Sequence, residues 1–483
     1  MIFIRYTFLC FVVLFAHGVV AQDKIFQAGA AALDITPFLG GGIIGNYGNP
    51  PEAKNIHDPL MAKALVLDDG DKRLALIIVD NLGLHAQICQ LAKERIMQET
   101  GISVDHILIA STHTHSGTSA SGAGDFRRQY MIDSLDEYQQ FLIHRLADAT
   151  KNAIYNLRPA RIGFGRFDKP EHVFNRRWYT QEPVMSPLGF KDSVMMNPGH
   201  VIPKIKPAGP TDPEVAFIAV ESKEGKPIAV LANYSLHYVG GEPPIYGVPD
   251  HDISADYYGA FARHLAKLLK TENQRIPFVG IMSQGTSGDI NNINFATKPT
   301  KSYAPYEKID SVSMDIATDL VKVYSTLTFK DWVSLSALTK NITLQVRKAT
   351  PALLQNLEKV KNKKTGEEVF HRLEDIYLER VMRHEESFPD QIDVTLQAFA
   401  IGDIAVGGIP FEVFAETGLQ LKQQNPFKNS FTFGIANGYW GYLPTPGQHR
   451  KGGYETWLTA NKVEIEASEI LKEELLKLFR SMK

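Results

Sequence analysis

The chain has 483 residues, 44% of them apolar and 22% charged, with a formal net charge of −3. That composition can bury a sizeable core, and the length suits one large or two medium domains. With near-neutral balance and no dense basic run, the electrostatic footprint of a nucleic-acid binder is missing.

The first segment, "MIFIRYTFLCFVVLFAHGVVAQDK", has one early cation, Arg5, then an apolar stretch from about Thr7 to Phe15 and small residues ending at Ala21. It reads as a secretory signal peptide over residues 1–21, its apolar stretch too short to span a bilayer. The expected protein is therefore secreted or periplasmic, with no transmembrane segment after signal cleavage. Cys10 lies in this segment, so Cys89 alone remains in the mature chain and no intramolecular disulfide is possible. That usage suits a bacterial periplasm. Cys89 sits in a helical pattern, "AQICQLAKERIMQETG", and reads as core filler.

Three hairpins punctuate the rest. Ala62 to Gly83, Val215 to His237 and Leu396 to Gly418 each read as strand, glycine-containing turn, strand. The second strand of each is nearly continuous in apolar residues, which argues burial on both faces, and each runs out into a polar residue: Asp80, His237 and Glu412. Helical periodicity lies between them, as in "LDEYQQFLIHRLADATKNAIYNL", "DYYGAFARHLAKLLK" and "IDSVSMDIATDLVKVYSTL", and again in the terminal "ASEILKEELLKLFRSMK". The expected fold is mixed α/β (α+β), a mixed sheet core built from hairpins and flanked by helices, in a single large domain over residues 22–483. No Pro/Gly/Ser linker divides it. The stretch from about Phe167 to Pro213 is expected to be a loop-rich wall of the active site.

The strongest local signal is "HILIASTHTHSG", where a buried strand runs into two histidines one residue apart. In a strand, residues i and i+2 share a face, so His113 and His115 should project together at a strand end. His237 ends another strand. Glu412, after Pro410, reads as part of the first turn of a helix, where the dipole keeps a carboxylate ionised. Two histidines and a carboxylate from separate elements suit zinc, which takes about four His, Cys, Asp or Glu ligands. "VFNRRWY" supplies Asn175, Arg176 and Arg177. "SQGTSGDINN" resembles a strand feeding a glycine-rich loop, with backbone N–H groups near Gly288 able to meet an oxyanion.

Together these pieces resemble the neutral, non-lysosomal ceramidase family, zinc amidohydrolases that cleave the amide of N-acylsphingosine. The likeness runs from "AGAAALDITP" to "GYET", with "THTHSG" its most specific motif. It implies a zinc site of His113, His237, Glu412 and Tyr442, the last from "YLPT". It implies His115 as a pocket residue able to move a proton, and Arg176 as a substrate contact. It also implies Tyr454, twelve residues after Tyr442, as a second active-site tyrosine. Three departures accompany it. Asn291 stands in "GDINN" where the family has a serine. Thr118 replaces the proline of "THTHSGP". The family's C-terminal immunoglobulin-like domain is expected to be missing, since only about thirty residues of this sequence follow the last motif. The activity implied is zinc-dependent hydrolysis of an amide or related acyl bond in a lipid or small-molecule substrate. Two alternatives stay open: a zinc-dependent glycan deacetylase, esterase or lyase, and a non-catalytic zinc-binding homologue.

Overall fold

The computed structural model describes residues 24–45, 50–118, 130–240 and 251–483, so the signal-peptide segment lies outside the described residues. All three hairpins form, as Met61–Asp68 with Arg73–Val79, Glu214–Ser222 with Pro227–Tyr234, and Gln391–Ile401 with Ile404–Gly408. Their turns carry Gly70, Gly225 and Gly402 at φ of 94°, 79° and 60°, values that tax any residue with a Cβ.

Each hairpin continues the same way, through a helix to a strand parallel to its second strand. The helices are Ala86–Thr100, Asp256–Leu268 and Ala415–Gln424, and the strands Ile107–Ser111, Val279–Gln284 and Asn429–Phe433. The registers place Val79 opposite Ser111, Tyr234 opposite Gln284 and Gly408 opposite Phe433. A thrice-repeated unit therefore generates three parallel strand pairs, and ligand sites of α/β sheets form at the carboxyl ends of such strands.

The first two units lie at opposite ends of one eight-stranded sheet. Its order is 279–284, 227–234, 214–222, 158–168, 27–34, 61–68, 73–79, 107–111. The third belongs to a four-stranded sheet ordered 335–345, 391–401, 404–408, 429–433. The two sheets share a core: Leu76 and Ile78 meet Ile218, Phe399 and Val406 in one cluster. Alternate residues face the other way. Ala75 and Ile77 pack with Ile88 and Leu146, Phe217 with Phe261 and Ile316, and Leu396 with Leu471 and Phe479. The result is a helix–sheet–sheet–helix stack in which the hairpin strands are covered on both faces over most of their length. This is why those strands read as nearly unbroken apolar runs.

The mixed α/β expectation holds, and Cys89 is buried. The stretch 167–213 differs from expectation. It contains a three-stranded sheet, Arg177–Met185 flanked by Lys191–Met196 and Lys204–Pro207. Its register shifts between Tyr179 and Val184, which breaks the two-residue alternation that would have marked it as strand.

Asp80, the polar end of the first hairpin, has a structural role. Its carboxylate accepts from Lys63 Nζ at 2.7 and 2.9 Å and from the Met61 N–H at 3.0 Å. Both side chains are buried. Burial raises the Asp80 carboxyl and Lys63 opposes that rise. Lys63→Met leaves a buried carboxylate unpaired and should cost about 3–5 kcal/mol in urea unfolding. A loss below about 1 kcal/mol would mean that Asp80 has another route to solvation.

Candidate metal centre

The three units deliver their polar ends to one place. The Ala110–Ala436 bridge ties the end of the first parallel strand to the segment after the third, and Gly434 N–H donates to the carbonyl of Gln284, the end of the second. His113 follows the first unit, His237 the second hairpin, and Glu412 the third hairpin.

The strand before the histidines ends at Ser111, two residues short of His113, and His113 has φ of 69°. The two histidines therefore do not share a strand face. A left-handed turn, uncommon for a residue with a Cβ, brings their rings together instead. Their Nε2 atoms are 3.2 Å apart. Gly45 permits this turn, because a Cβ there would lie 2.8 Å from the His115 carbonyl oxygen.

Glu412 is not in the first turn of a helix. It lies in a two-residue strand paired in parallel with Tyr442–Leu443, and the helix begins at Ala415. Its N–H donates to the Gly441 carbonyl, which holds the backbone extended. The carboxylate at that helix N-terminus belongs to Asp289, which accepts from Ala415 N–H at 2.9 Å and from Asn175 Nδ2 at 2.7 Å. Burial raises the Asp289 carboxyl to about 6.

The donor atoms converge tightly. Glu412 Oε2 is 3.4 Å from His113 Nε2 and 3.5 Å from His237 Nε2. All of these side chains are buried. His113 Nδ1 bonds to the Leu82 carbonyl, and His237 Nδ1 to the Ser287 carbonyl at 2.8 Å. A carbonyl only accepts, so each Nδ1 carries a proton, and His237, kept neutral, presents a lone pair at Nε2. Burial, then Arg176 and the other two histidines, hold His237 well below its ordinary pKa and neutral. Burial alone would raise the Glu412 carboxyl, but His113, Arg176 and the Tyr439 hydroxyl outweigh it, so Glu412 stays ionised. His237 Nε2 and Glu412 Oε2 thus face one another as buried acceptors with no hydrogen-bond donor between them. That juxtaposition repels unless a cation lies between, and N···O separations near 3.4 Å match the edge of a tetrahedron about a zinc-sized ion. Ligand atoms of His113, His115 and His237 lie within 4.8 Å of one another, a group able to hold a metal. His115 stacks on Tyr238, with ring centres 4.0 Å apart.

Arg176, Tyr442 and Tyr454 lie on the carboxylate side. Arg176 Nε donates to Glu455 at 2.9 Å and Nη2 to the Gly288 carbonyl at 2.9 Å, leaving Nη1 without a hydrogen bond among the described residues. Its guanidinium sits 5.4 Å from the centre of the Tyr442 ring, which in turn lies 5.4 Å from Tyr454. Burial, then the Glu412 carboxylate, push the Tyr442 hydroxyl well above its usual range and favour its protonated, donating form. Tyr439, Tyr442 and Tyr454 together line a small cavity of about 50 Å³.

The Gly288 amide is not available to an oxyanion, because its N–H donates to the Val413 carbonyl at 2.8 Å; a Cβ at this glycine would lie 2.3 Å from the Glu412 carbonyl oxygen. Asn291 spends its amide locally, donating to Asn197 Oδ1 and accepting from Ile293 N–H, each at 2.9 Å. Four partners escaped the sequence reading. Tyr439 donates to Glu412 Oε1. Glu455 bridges Arg176 and Arg177 through its two oxygens. The Leu82 and Ser287 carbonyls set the histidine tautomers. Tyr439 and Glu455 lie in the aromatic "GYWGYLPTPGQHRKGGYETW", but only their pairing across the fold marks them.

Residues 26–302 match the profile of the family described as neutral/alkaline non-lysosomal ceramidase, N-terminal. The chain belongs to this family. The matched segment holds His113, His115, Arg176 and His237, while Glu412, Tyr442 and Tyr454 lie beyond it. Two solved structures resemble this ceramidase-family chain along most of its length. One, a neutral ceramidase from Pseudomonas aeruginosa, is 16% identical with a TM-score of 0.66, the match covering 95% of this chain and 75% of that one. The other, a ceramidase complexed with C2, is 15% identical with a TM-score of 0.66, covering 95% and 76%. At these identities the likeness establishes the shared fold. Among the described residues, no helix is long and apolar enough to cross a membrane.

His384, on the same cavity wall, gives a pH test of the fold. Its Nε2 bonds to the Arg347 carbonyl at 2.8 Å, while Nδ1 is buried without a partner. Burial lowers its pKa from 6.5 to about 4. A proton is therefore taken up on unfolding, and the stability that neutral His384 contributes is lost as pH falls from about 6.5 towards 4. Between pH 8 and pH 5 the loss should be about 2 kcal/mol. In urea melts the gap between wild type and His384→Gln should narrow by that amount, and a pH-independent gap would refute the assignment.

Proposed function

We propose that the protein is an exported zinc-dependent hydrolase of amide or related acyl bonds, acting on an N-acyl lipid or small molecule. The observation that carries this reading is the buried meeting of His237 Nε2 and Glu412 Oε2 beside His113, in a chain of the ceramidase family. His113 and His237 are the proposed histidine ligands, because backbone carbonyls orient both rings, as is usual for metal-bound histidine. Glu412 supplies the carboxylate, with its other oxygen held by Tyr439, and Tyr442 is the proposed fourth protein ligand. Zinc bound there supplies Lewis-acid polarisation of a carbonyl and activation of water near neutral pH.

The chain's own groups do the rest. His115 moves a proton to the leaving nitrogen as water adds to the carbonyl carbon. Arg176 Nη1 and the Tyr454 hydroxyl donate to the carbonyl oxygen as charge develops on it. Export is supported by the charge, apolar and small-residue pattern of residues 1–21.

A second reading, a glycan deacetylase, esterase or lyase, is favoured by one feature: the cavity wall beside Tyr442 is aromatic and cationic rather than aliphatic. A panel of N-acyl lipids, N-acetylated sugars and acyl esters, assayed with zinc-loaded protein, separates the two. Hydrolysis confined to sugars would establish the second reading, and inactivity throughout would leave a metal-binding homologue. Asn291→Ser should change the rate less than about tenfold and yield no covalent acyl intermediate, because Asn291 is engaged with Asn197 and Ile293. If that change alone creates activity on N-acylsphingosine, the proposed chemistry is wrong and the residue at 291 is the nucleophile.

A further inference from the structure

A second cavity, of about 300 Å³, lies between the helix Ala86–Thr100 and the strand Gln391–Ile401. The helix lays Ala86, Cys89, Gln90 and Lys93 along it, spaced i, i+3, i+4 and i+7 on one face. The strand contributes Asp393 and Thr395, two residues apart and so on one face of the sheet. Lys93 therefore stands on a buried stripe where packing calls for an apolar residue, and it is only 3% exposed. Its hydrogen bond among the described residues goes to Gln397 Oε1 at 3.2 Å, an oxygen that also accepts from Asn437 Nδ2 at 2.9 Å. It makes no ion pair among the described residues, and Asp105 acts on it only through a longer-range attraction. An ammonium carries three hydrogens, so two of them meet no acceptor of the described protein. Burial lowers the Lys93 ammonium to about 8, which leaves it mostly charged at pH 7.

A buried ammonium without a counter-ion is costly, and an anion entering the cavity offsets that cost. The wall's other polar groups are already engaged. Gln87 bonds both ends of its amide to the Ile132 backbone, and Thr395 donates to Asn341 Oδ1. The free hydrogens of Lys93 are thus the donors left for a guest. Asp393, exposed at the edge, disfavours a second negative charge. Tyr130 and Trp440 form an aromatic corner of the wall, their ring centres 6.2 Å apart and their planes tilted by 40°. None of His113, His237, Glu412 and Tyr442 lines this cavity. We infer that the cavity is a binding site, distinct from the metal centre, for a small monocarboxylate with a flat apolar body. The carboxylate pairs with Lys93, and the body lies against Trp440 and Tyr130. The site stands whether or not the metal centre hydrolyses acyl bonds.

The test titrates the full chain with para-fluorobenzoate and para-fluorobenzamide, alike in shape and different in charge, followed by fluorine NMR at neutral pH. The acid should bind at least about tenfold more tightly than the amide, the scale of one charge-assisted contact. In Lys93→Met that preference should vanish while the melting temperature holds or rises. Methionine fills the space and removes the buried charge, and Asn437 still donates to Gln397 Oε1. The preference should persist in His113→Ala/His237→Ala, which separates this site from carboxylate binding at the metal centre. Equal binding of the two probes by wild type, or no binding of either, overturns the inference. So does a preference that survives Lys93→Met or disappears with the two histidines, because the acid then sits elsewhere. A melting temperature lowered by Lys93→Met would show that the ammonium is already compensated within the fold, and that result overturns the inference as well.

Discussion

Replacing His113 and His237 together by alanine should remove the metal and reduce turnover to background. Wild-type protein purified without added metal should carry about one zinc per chain by elemental analysis. The double variant should carry less than a tenth of that. The physical reason lies in the donor count. Both rings aim Nε2 at Glu412 Oε2 from 3.4 and 3.5 Å, and without them one carboxylate and neighbouring groups cannot retain a dehydrated dication. The same change should not unfold the chain, because the eight-stranded sheet and its helices have their own core. Circular dichroism and melting of the metal-free forms check this. A folded, fully active and metal-free wild-type preparation ends the zinc hypothesis.

His115→Ala should retain zinc and lose about 100-fold or more in turnover, the usual scale of a general acid–base group. Its Nε2 lies 3.2 Å from that of His113, close enough to exchange a proton with substrate bound beside the metal and also close enough to ligate. The ring stack on Tyr238 distinguishes it from His113 and His237, which backbone carbonyls orient. If zinc is lost from His115→Ala as readily as from His113→Ala, the ligand set is the three histidines with Glu412. Tyr442 then acts only as a donor to the substrate, in keeping with the raised pKa of its hydroxyl.

Much of this protein was written locally. Hairpins appear wherever a glycine turn separates two apolar runs, because turn chemistry and strand periodicity act over a few residues. The helices follow for the same reason, since a stripe of apolar residues at helical spacing can be buried only one way. The grouping of His113, His237 and Glu412 was also legible, as each is the first polar side chain beyond a buried strand or close to it.

Other features required the fold. That each hairpin is the start of a longer unit ending in a parallel strand is invisible locally, since register between strands as distant in the chain as Tyr234 and Gln284 is set by packing between the two sheets. The setting of Glu412 misled for the same reason. Pro410 signals a helix start, but pairing with Tyr442–Leu443 holds Glu412 extended and leaves the helix N-terminus to Asp289. The turn at His113, with φ of 69°, is imposed by contacts with Asn81 and Leu82, not by its own preference. Gly288 reads as an oxyanion donor until Val413 is seen to occupy its N–H. The sequence by itself marked His113, His115, His237 and Glu412 as polar residues beyond buried strands. The tertiary structure decided which lone pairs face each other, because hydrogen-bond partners drawn from distant segments fix tautomer, charge and direction.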